Sequence, residues 1–132
     1  MNKTVLIVED DSFLRDLAGS KLTKEGFTVL AAENDTAMDT ILETQTPDII
    51  LLDLMLPGTD GFGLLTRLRE NLKTNVTPII VFSNLSDDES ITKTKQLGAT
   101  EYMIKSNFTL EEVVEKIRTI LGIPAPVAQP TA

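Results

Sequence analysis

Five short apolar runs alternate along the chain with longer segments whose apolar residues recur at helical spacing. The first run, residues 5–8 (VLIV), is continuous and mostly β-branched, which is typical of a strand buried on both faces of a parallel sheet. The next segment predicts a helix that ends at Gly26. Its apolar face consists of Phe13, Leu14, Leu17, Ala18 and Leu22.

Four further strands are predicted at residues 28–31, 49–52, 79–82 and 102–104, and each is followed by a helical segment. Capping boxes are predicted to open the fourth helix, with Ser86 and Glu89, and the fifth, with Thr109 and Glu112. The fifth helix is predicted to end at Gly122. The third helix is predicted to carry Leu64, Leu65, Leu68 and Leu72.

This alternation predicts an α/β fold with a single doubly wound (βα)5 domain. Parallel strands need crossover connections, and helices usually supply them, so we expect a five-stranded parallel sheet with helices on both faces. The domain is expected to occupy residues 1–121. Residues 122–132 contain three prolines and no charged side chain, which predicts a Pro/Ala-rich tail or linker stub.

Composition narrows the chemistry that this domain can perform. The 132 residues include no Cys and no His, which excludes disulfides, thiolate metal sites and histidine-based catalysis. A net charge of −8 argues against direct nucleic-acid binding, which needs a basic surface. The first apolar run is too short for a signal peptide or a membrane span, so we expect a cytoplasmic protein without membrane contact.

Polar residues follow four of the five predicted strands. They are Glu9, Asp10 and Asp11 after the first strand, Asp53 after the third, Ser83 and Asn84 after the fourth, and Lys105 after the fifth. The carboxyl ends of parallel strands lie on one edge of the sheet, where such folds bind ligands. Residues far apart in the sequence are therefore predicted to share one cleft.

The side chains predicted to meet in this cleft suit phosphoryl transfer. Clustered carboxylates repel one another and need a hard cation such as Mg²⁺, which prefers oxygen ligands. Asp53 is the candidate nucleophile, since carboxylates form aspartyl phosphates. Lys105 and Ser83 are candidates for binding the remaining phosphoryl oxygens.

Several of these residues also have a purely structural interpretation. Asp11 is equally well explained as the cap of the first helix. Ser83 suits a turn, and a lysine such as Lys105 is most often exposed to solvent. Tyr102, the only tyrosine, suits a half-buried strand position with its hydroxyl in water. The combination of these residues at one edge favours a site.

Four parts of the chain together resemble the receiver domains of two-component response regulators, of the chemotaxis-regulator type. They are residues 5–11 (VLIVEDD), 50–61 (ILLDLMLPGTDG), 78–83 (PIIVFS), and 98–99 (GA) taken with 102–105 (YMIK). The resemblance runs from about Lys3 to Leu121. It implies a flavodoxin-like sheet in the strand order 2-1-3-4-5 and a phosphorelay signalling switch rather than an enzyme, although such a switch catalyses its own phosphorylation and dephosphorylation.

The resemblance also implies a metal site. Asp53 corresponds to the phosphoacceptor, which is also a metal ligand, and Asp10 corresponds to a direct Mg²⁺ ligand. Glu9 corresponds to an acid that acts through water. The backbone carbonyl of Met55 corresponds to a further ligand.

Three further residues match positions that sense the phosphoryl group. Ser83 resembles the hydroxyl residue that binds it, and Lys105 resembles the lysine that pairs with it. Tyr102 resembles the aromatic that follows the hydroxyl inward and remodels a partner-binding surface on the fourth helix, fifth strand and fifth helix. The chain departs from the family's usual pattern at Ser106, where a proline is usual, and at Asn84, where a small residue is usual.

The implied phosphoryl donor is a histidine kinase or a histidine phosphotransfer domain. The implied output is a downstream protein target or an effector domain that this chain lacks, and a phosphorylation-dependent homodimer is compatible with the resemblance. The alternative is a receiver-like binding module that works without phosphorylation. A haloacid-dehalogenase-type phosphatase needs a second Asp where Met55 stands, and a flavodoxin needs a phosphate loop where residues 9–11 are acidic, so both are disfavoured.

Overall fold

The fold is described by a computed structural model of residues 2–124. Most of the tail predicted at residues 122–132 lies outside these residues. No helix in the described part of the chain has both the length and the apolar character needed to cross a membrane. The elements are β1 (Thr4–Val8), α1 (Ser12–Lys24), β2 (Thr28–Ala32), α2 (Asp35–Thr44), β3 (Ile49–Leu52), α3 (Gly61–Glu70), β4 (Ile79–Ser83), α4 (Asp88–Gln96), β5 (Glu101–Ile104), a 3₁₀ turn (Lys105–Asn107) and α5 (Leu110–Leu121).

The five strands form one parallel sheet in the order β2-β1-β3-β4-β5. Val8 at the end of β1 lies beside Ala32 of β2 and Leu52 of β3, and Ser83 at the end of β4 lies beside Ile104 of β5. The strands therefore end along one edge. The parallel sheet predicted from the apolar pattern and the strand order implied by the resemblance are both confirmed.

The core lies on both faces of this sheet, which explains why the strand runs are wholly apolar. Successive residues of β1 point to opposite faces, so that Leu6 packs toward α2 and α3 while Ile7 packs toward α1 and α5. Ile50 and Leu51 of β3 divide in the same way. Each central strand is thus fixed in register, because a shift by one residue would exchange its two faces.

Local signals placed some helix ends correctly and others not. The capping box of Thr109 and Glu112 opens α5, and Gly122 ends it in the left-handed conformation with φ 69°. The box predicted at Ser86 is wrong, because Asp87 caps α4 by accepting a hydrogen bond from the amide of Ser90.

The prediction that the third helix reaches Leu72 is also wrong. The helix α3 ends at Glu70, and the side chain of Asn71 accepts a hydrogen bond from the amide of Lys73 at 2.9 Å, which favours a turn over another helical residue. The Leu72 side chain is 88% exposed on the loop that follows.

The apolar face predicted for the first helix divides into two rows. Ala18 and Leu22 are buried against the sheet, and Leu14 is half-buried. Phe13 and Leu17, one position earlier in each turn, are 75% and 47% exposed. The helix α1 therefore presents an apolar outer row to solvent near the edge where the strands end.

Candidate functional site

The acidic residues predicted to meet do so at the carboxyl edge of the sheet. Glu9 and Asp10 follow β1 directly, and Asp53 follows β3 directly. These strands are hydrogen-bonded neighbours whose last residues, Val8 and Leu52, are paired in register. One carboxylate oxygen from each acid lies within 4.8 Å of the others.

The carboxylate of Asp53 is buried and held at both oxygens. Asp53 is 5% exposed, and its amide donates to the carbonyl of Val8 at 3.0 Å. Oδ1 accepts a hydrogen bond from the amide of Met55 at 2.9 Å, and Oδ2 accepts one from Lys105 Nζ at 2.7 Å. These two hydrogen bonds hold the Asp53 carboxylate in one defined orientation in the site.

Lys105 connects two of the three acids. Its Nζ lies 2.5 Å from Glu9 Oε1 as well as 2.7 Å from Asp53 Oδ2. Burial alone would lower the pKa of Lys105, but the hydrogen bonds to Asp53 and Glu9 outweigh it and raise that pKa, so the ammonium is charged. No peptide bond in residues 2–124 is cis, and Lys105 reaches Asp53 although Ser106 follows it.

Glu9 is likewise buried and held at both carboxylate oxygens. It is 4% exposed, its amide donates to the carbonyl of Ala32, and its Oε2 accepts from the amide of Asp11 at 3.2 Å. Burial raises the pKa of Glu9, the hydrogen bond from Lys105 offsets part of this rise, and the charge of Asp53 adds to it. Nearby positive charge therefore favours the ionised form of the Glu9 carboxylate.

Asp10 and Asp11 have different roles in the structure. Asp11 caps α1, since its Oδ1 accepts a hydrogen bond from the amide of Leu14 at 3.1 Å. The carboxylate of Asp10 is exposed and makes no hydrogen bond or ion pair within residues 2–124. Of the neighbouring pair, Asp10 is the one whose carboxylate lies with those of Glu9 and Asp53 and has no partner within residues 2–124.

Ser83 and Tyr102 stand beside this cluster rather than in it. Ser83 ends β4, is fully buried, and its Oγ accepts a hydrogen bond from the amide of Leu85 at 3.4 Å. Tyr102 is 8% exposed, so its ring is buried more deeply than the structural interpretation of this residue assumed, and its hydroxyl donates to the carbonyl of Leu85. Burial raises the pKa of Tyr102, which keeps the hydroxyl protonated as a donor.

One residue of the site was missed by the sequence analysis. Arg15, on the first turn of α1, donates from Nη1 to the backbone carbonyls of Glu9 at 2.9 Å and Asp10 at 3.3 Å. An arginine on a helix carries no signal for such a contact, because its target is backbone. The spacing of six residues from Glu9 becomes meaningful only once the start of α1 is known.

The donor set fits Mg²⁺. It consists only of oxygens, from one exposed and two buried carboxylates that converge within 4.8 Å. Mg²⁺ favours sites with one or two carboxylates that leave room for water and phosphate oxygens. The open side of Asp10 leaves that room.

Comparisons with known proteins agree with this geometry. Residues 5–118 match the family described as the response regulator receiver domain. The chain is 32% identical over 126 residues to the phosphate regulon transcriptional regulatory protein PhoB of Pseudomonas aeruginosa, covering 96% of this chain and 55% of that protein. It is 36% identical over 120 residues to the transcriptional regulatory protein KdpE of Staphylococcus aureus, covering 91% of this chain and 50% of that protein.

A solved structure is similar over nearly its whole length. The crystal structure of a response regulator from Thermotoga maritima has a TM-score of 0.81 and 26% identity, covering 92% of this chain and 99% of that one. The chain spans about half the length of the two curated relatives. With the family match over residues 5–118, the chain belongs to the receiver-domain family of two-component response regulators.

Proposed function

We propose that Asp53 accepts a phosphoryl group from a phosphohistidine. A carboxylate oxygen of Asp53 attacks phosphorus, the phosphorus–nitrogen bond breaks, and the donor imidazole keeps the electron pair. The observation that carries this proposal is the buried Asp53 carboxylate, oriented by Met55 and Lys105 and placed beside two further acids.

The other residues of the site have proposed roles around this reaction. Asp10 and Asp53 would hold Mg²⁺ directly, with the carbonyl of Met55, and Glu9 would act through water. Bound there, Mg²⁺ supplies charge neutralisation for the acids and the phosphoryl oxygens. Lys105, already in contact with Asp53, pairs with one phosphoryl oxygen and the Ser83 hydroxyl binds another.

The output of the switch is proposed to run through Ser83 and Tyr102. The Ser83 hydroxyl and the Tyr102 hydroxyl both bond to Leu85, one to its amide and one to its carbonyl. Movement of Ser83 toward a phosphoryl group would therefore shift the β4–α4 loop at Leu85. The Tyr102 hydroxyl is hydrogen-bonded to the same residue, so the tyrosine would move with the loop. A two-state shift of this kind needs roughly 3–5 kcal/mol of differential interaction, which a few charge-assisted hydrogen bonds supply.

Lys105→Met is expected to tighten Mg²⁺ binding. The Lys105 ammonium shares oxygens of Glu9 and Asp53 with any bound cation and repels it, so its removal favours the ion. We expect a gain of about threefold to tenfold in affinity, the equivalent of roughly 0.7–1.4 kcal/mol. Isothermal titration with MgCl₂ measures it, and Lys116→Met, which removes an ion pair with Glu101, is the charge-matched control. Weaker binding by Lys105→Met alone would contradict this arrangement.

The surface that meets the phosphodonor is proposed to be the apolar rim of the site. Phe13, Met55 and Phe108 are 75%, 55% and 37% exposed. Each follows a site residue closely in the sequence: Phe13 comes three positions after Asp10, Met55 two after Asp53, and Phe108 three after Lys105. A histidine kinase or phosphotransfer domain that brings its phosphohistidine to Asp53 must cover this rim.

Phe13→Ala is expected to slow phosphoryl transfer from a phosphorylated histidine kinase that phosphorylates the wild-type chain. Truncation of an exposed aromatic anchor should reduce the rate by about fivefold to tenfold. Transfer from acetyl phosphate, which needs no docking surface, should not change. Leu72→Ala is the control, because Leu72 is an even more exposed apolar residue on the loop before β4, away from the site edge. An equal loss with both donors would show that Phe13 does not act through docking.

The domain proposed at residues 1–121 includes all of these parts. Its output is proposed to be a downstream protein target or a linked effector domain, which accords with the transcriptional regulators among the relatives. A homodimer through the surface of α4, β5 and α5 is a further form that this output could take.

Incorporation of phosphorus from acetyl phosphate tests the proposed function. We expect a Mg²⁺-dependent product that is hydrolysed in base, as an acyl phosphate requires. The absence of incorporation from both acetyl phosphate and phosphoramidate would favour the alternative of a receiver-like binding module that works without phosphorylation.

A further inference from the structure

Arg15 holds the backbone on both sides of Asp10. Its Nη1 donates to the carbonyl of Glu9 at 2.9 Å and to the carbonyl of Asp10 at 3.3 Å. The first carbonyl belongs to the peptide plane before the Asp10 Cα, and the second belongs to the plane after it. A group that holds both planes restricts both backbone dihedral angles of Asp10, and with them the direction of its Cα–Cβ bond.

Few other contacts perform this task at Asp10. The amide of Glu9 still pairs with Ala32 of β2, and Glu9 Oε2 binds the amide of Asp11. The side chain of Asp10 has no partner in the part of the chain that the structure describes. Glu9 thus holds only the peptide plane after Asp10, whereas Arg15 is the side chain within residues 2–124 that holds the planes on both sides of it.

The mode of contact leaves the acids free. Arg15 forms no ion pair with a carboxylate within residues 2–124, and both of its hydrogen bonds go to carbonyl oxygens. Lys105, in contrast, binds carboxylate oxygens of Glu9 and Asp53 directly. The site thus contains two cations, of which one competes for the ligand oxygens and the other does not.

We propose that Arg15 is a positioning residue that pre-orients Asp10 for the divalent cation. This inference rests on the proposed function, in which Asp10 binds Mg²⁺. A group that orients a metal ligand typically changes metal affinity by about 10-fold to 100-fold when it is removed.

The sign of the effect separates positioning from charge. Arg15 is positive, so electrostatics alone predict that removing it tightens binding of a cation, as we expect for Lys105→Met. Positioning predicts the opposite, because Asp10 then samples orientations that do not bind the ion. Arg15→Met should weaken Mg²⁺ binding by about tenfold, and Arg15→Lys, which keeps a charged donor, should restore part of the loss.

Isothermal titration of each 132-residue variant with MgCl₂ measures the effect. Arg67→Met is the matched control, since it also removes one positive charge. The native Arg67 pairs with Asp35 and Asp39 between α2 and α3, not with the site. Circular dichroism verifies that each variant is folded. If Arg15→Met does not fold, the affinity of Arg15→Lys is compared with that of the wild type instead. Weaker binding by the Arg15 variants, with Arg67→Met unchanged, supports the proposal.

The outcomes that overturn the proposal are distinct from those that overturn the proposed function. Wild-type affinity in a folded Arg15 variant, or a tighter Kd, overturns the positioning role and leaves the Mg²⁺ site intact. A wild-type chain that binds no Mg²⁺ overturns the site itself, and the role of Arg15 with it.

Discussion

Asp53→Asn is expected to abolish phosphoryl incorporation from acetyl phosphate. An amide oxygen lacks the charge and nucleophilicity of a carboxylate, and the substitution also removes the charged partner of Lys105 at 2.7 Å. The fold should survive, because Asn is nearly isosteric and its side-chain oxygen can still accept from the amide of Met55. Intact-protein mass spectrometry after incubation with acetyl phosphate and Mg²⁺ measures the result.

The control for this substitution is available on the following loop. Asp60 caps α3 through a hydrogen bond from the amide of Phe62, a role that Asn performs equally well. Asp60→Asn therefore changes one nearby charge and leaves the proposed chemistry untouched. Incorporation that persists in Asp53→Asn at the level of Asp60→Asn would rule out Asp53 as the acceptor.

Asp10→Asn is expected to weaken the binding of Mg²⁺ strongly. Asp10 is the one acid of the cluster whose carboxylate has no partner among residues 2–124. A bound ion therefore does not have to displace another group from this carboxylate. Loss of a direct anionic ligand should cost more than loss of an outer-shell group, and we expect Kd to rise by at least about tenfold. Phosphorylation by acetyl phosphate should fall in parallel at limiting Mg²⁺, and isothermal titration gives the affinity.

The adjacent residue provides a closely matched control. Asp11 carries the same charge but caps α1, and Asn is an equally good cap. Asp11→Asn should therefore bind Mg²⁺ almost as the wild type does. A larger loss in Asp11→Asn than in Asp10→Asn would reverse the assignment of the two acids.

Most of the fold could be predicted because its strands are buried on both faces. From Val5 to Val8 in β1, and throughout β3, every residue belongs to one or the other core, so each sequence is a continuous apolar run that no exposed strand would show. The polar residues that follow these runs then had to lie on the edge of the sheet. For this reason the sequence alone places Glu9, Asp10 and Asp53 at one edge of the sheet.

The details that could not be predicted depend on which local interaction dominates. Helical spacing alone does not distinguish the buried row of Ala18 and Leu22 from the exposed row of Phe13 and Leu17. At Ser86 and Asp87 two adjacent residues are both good caps, and sequence does not decide between them.

The contacts that Lys105 and Arg15 make with the site could not be predicted from the sequence either. Lys105 was expected to pair with a phosphoryl group, but its second contact with Glu9 depends on how the turn after β5 is folded. The contact of Arg15 with two carbonyls depends on backbone geometry at the end of β1. Backbone acceptors are present at every residue, so no residue pattern marks them.

The most direct test is a crystal structure of the chain with Mg²⁺ and beryllofluoride, which mimics a phosphoryl group on a carboxylate. We expect beryllium bonded to a carboxylate oxygen of Asp53, Mg²⁺ coordinated by Asp10, Asp53 and the carbonyl of Met55, and Lys105 in contact with fluorine. Beryllofluoride on another acid, or Mg²⁺ bound without Asp10 and Asp53, would contradict it.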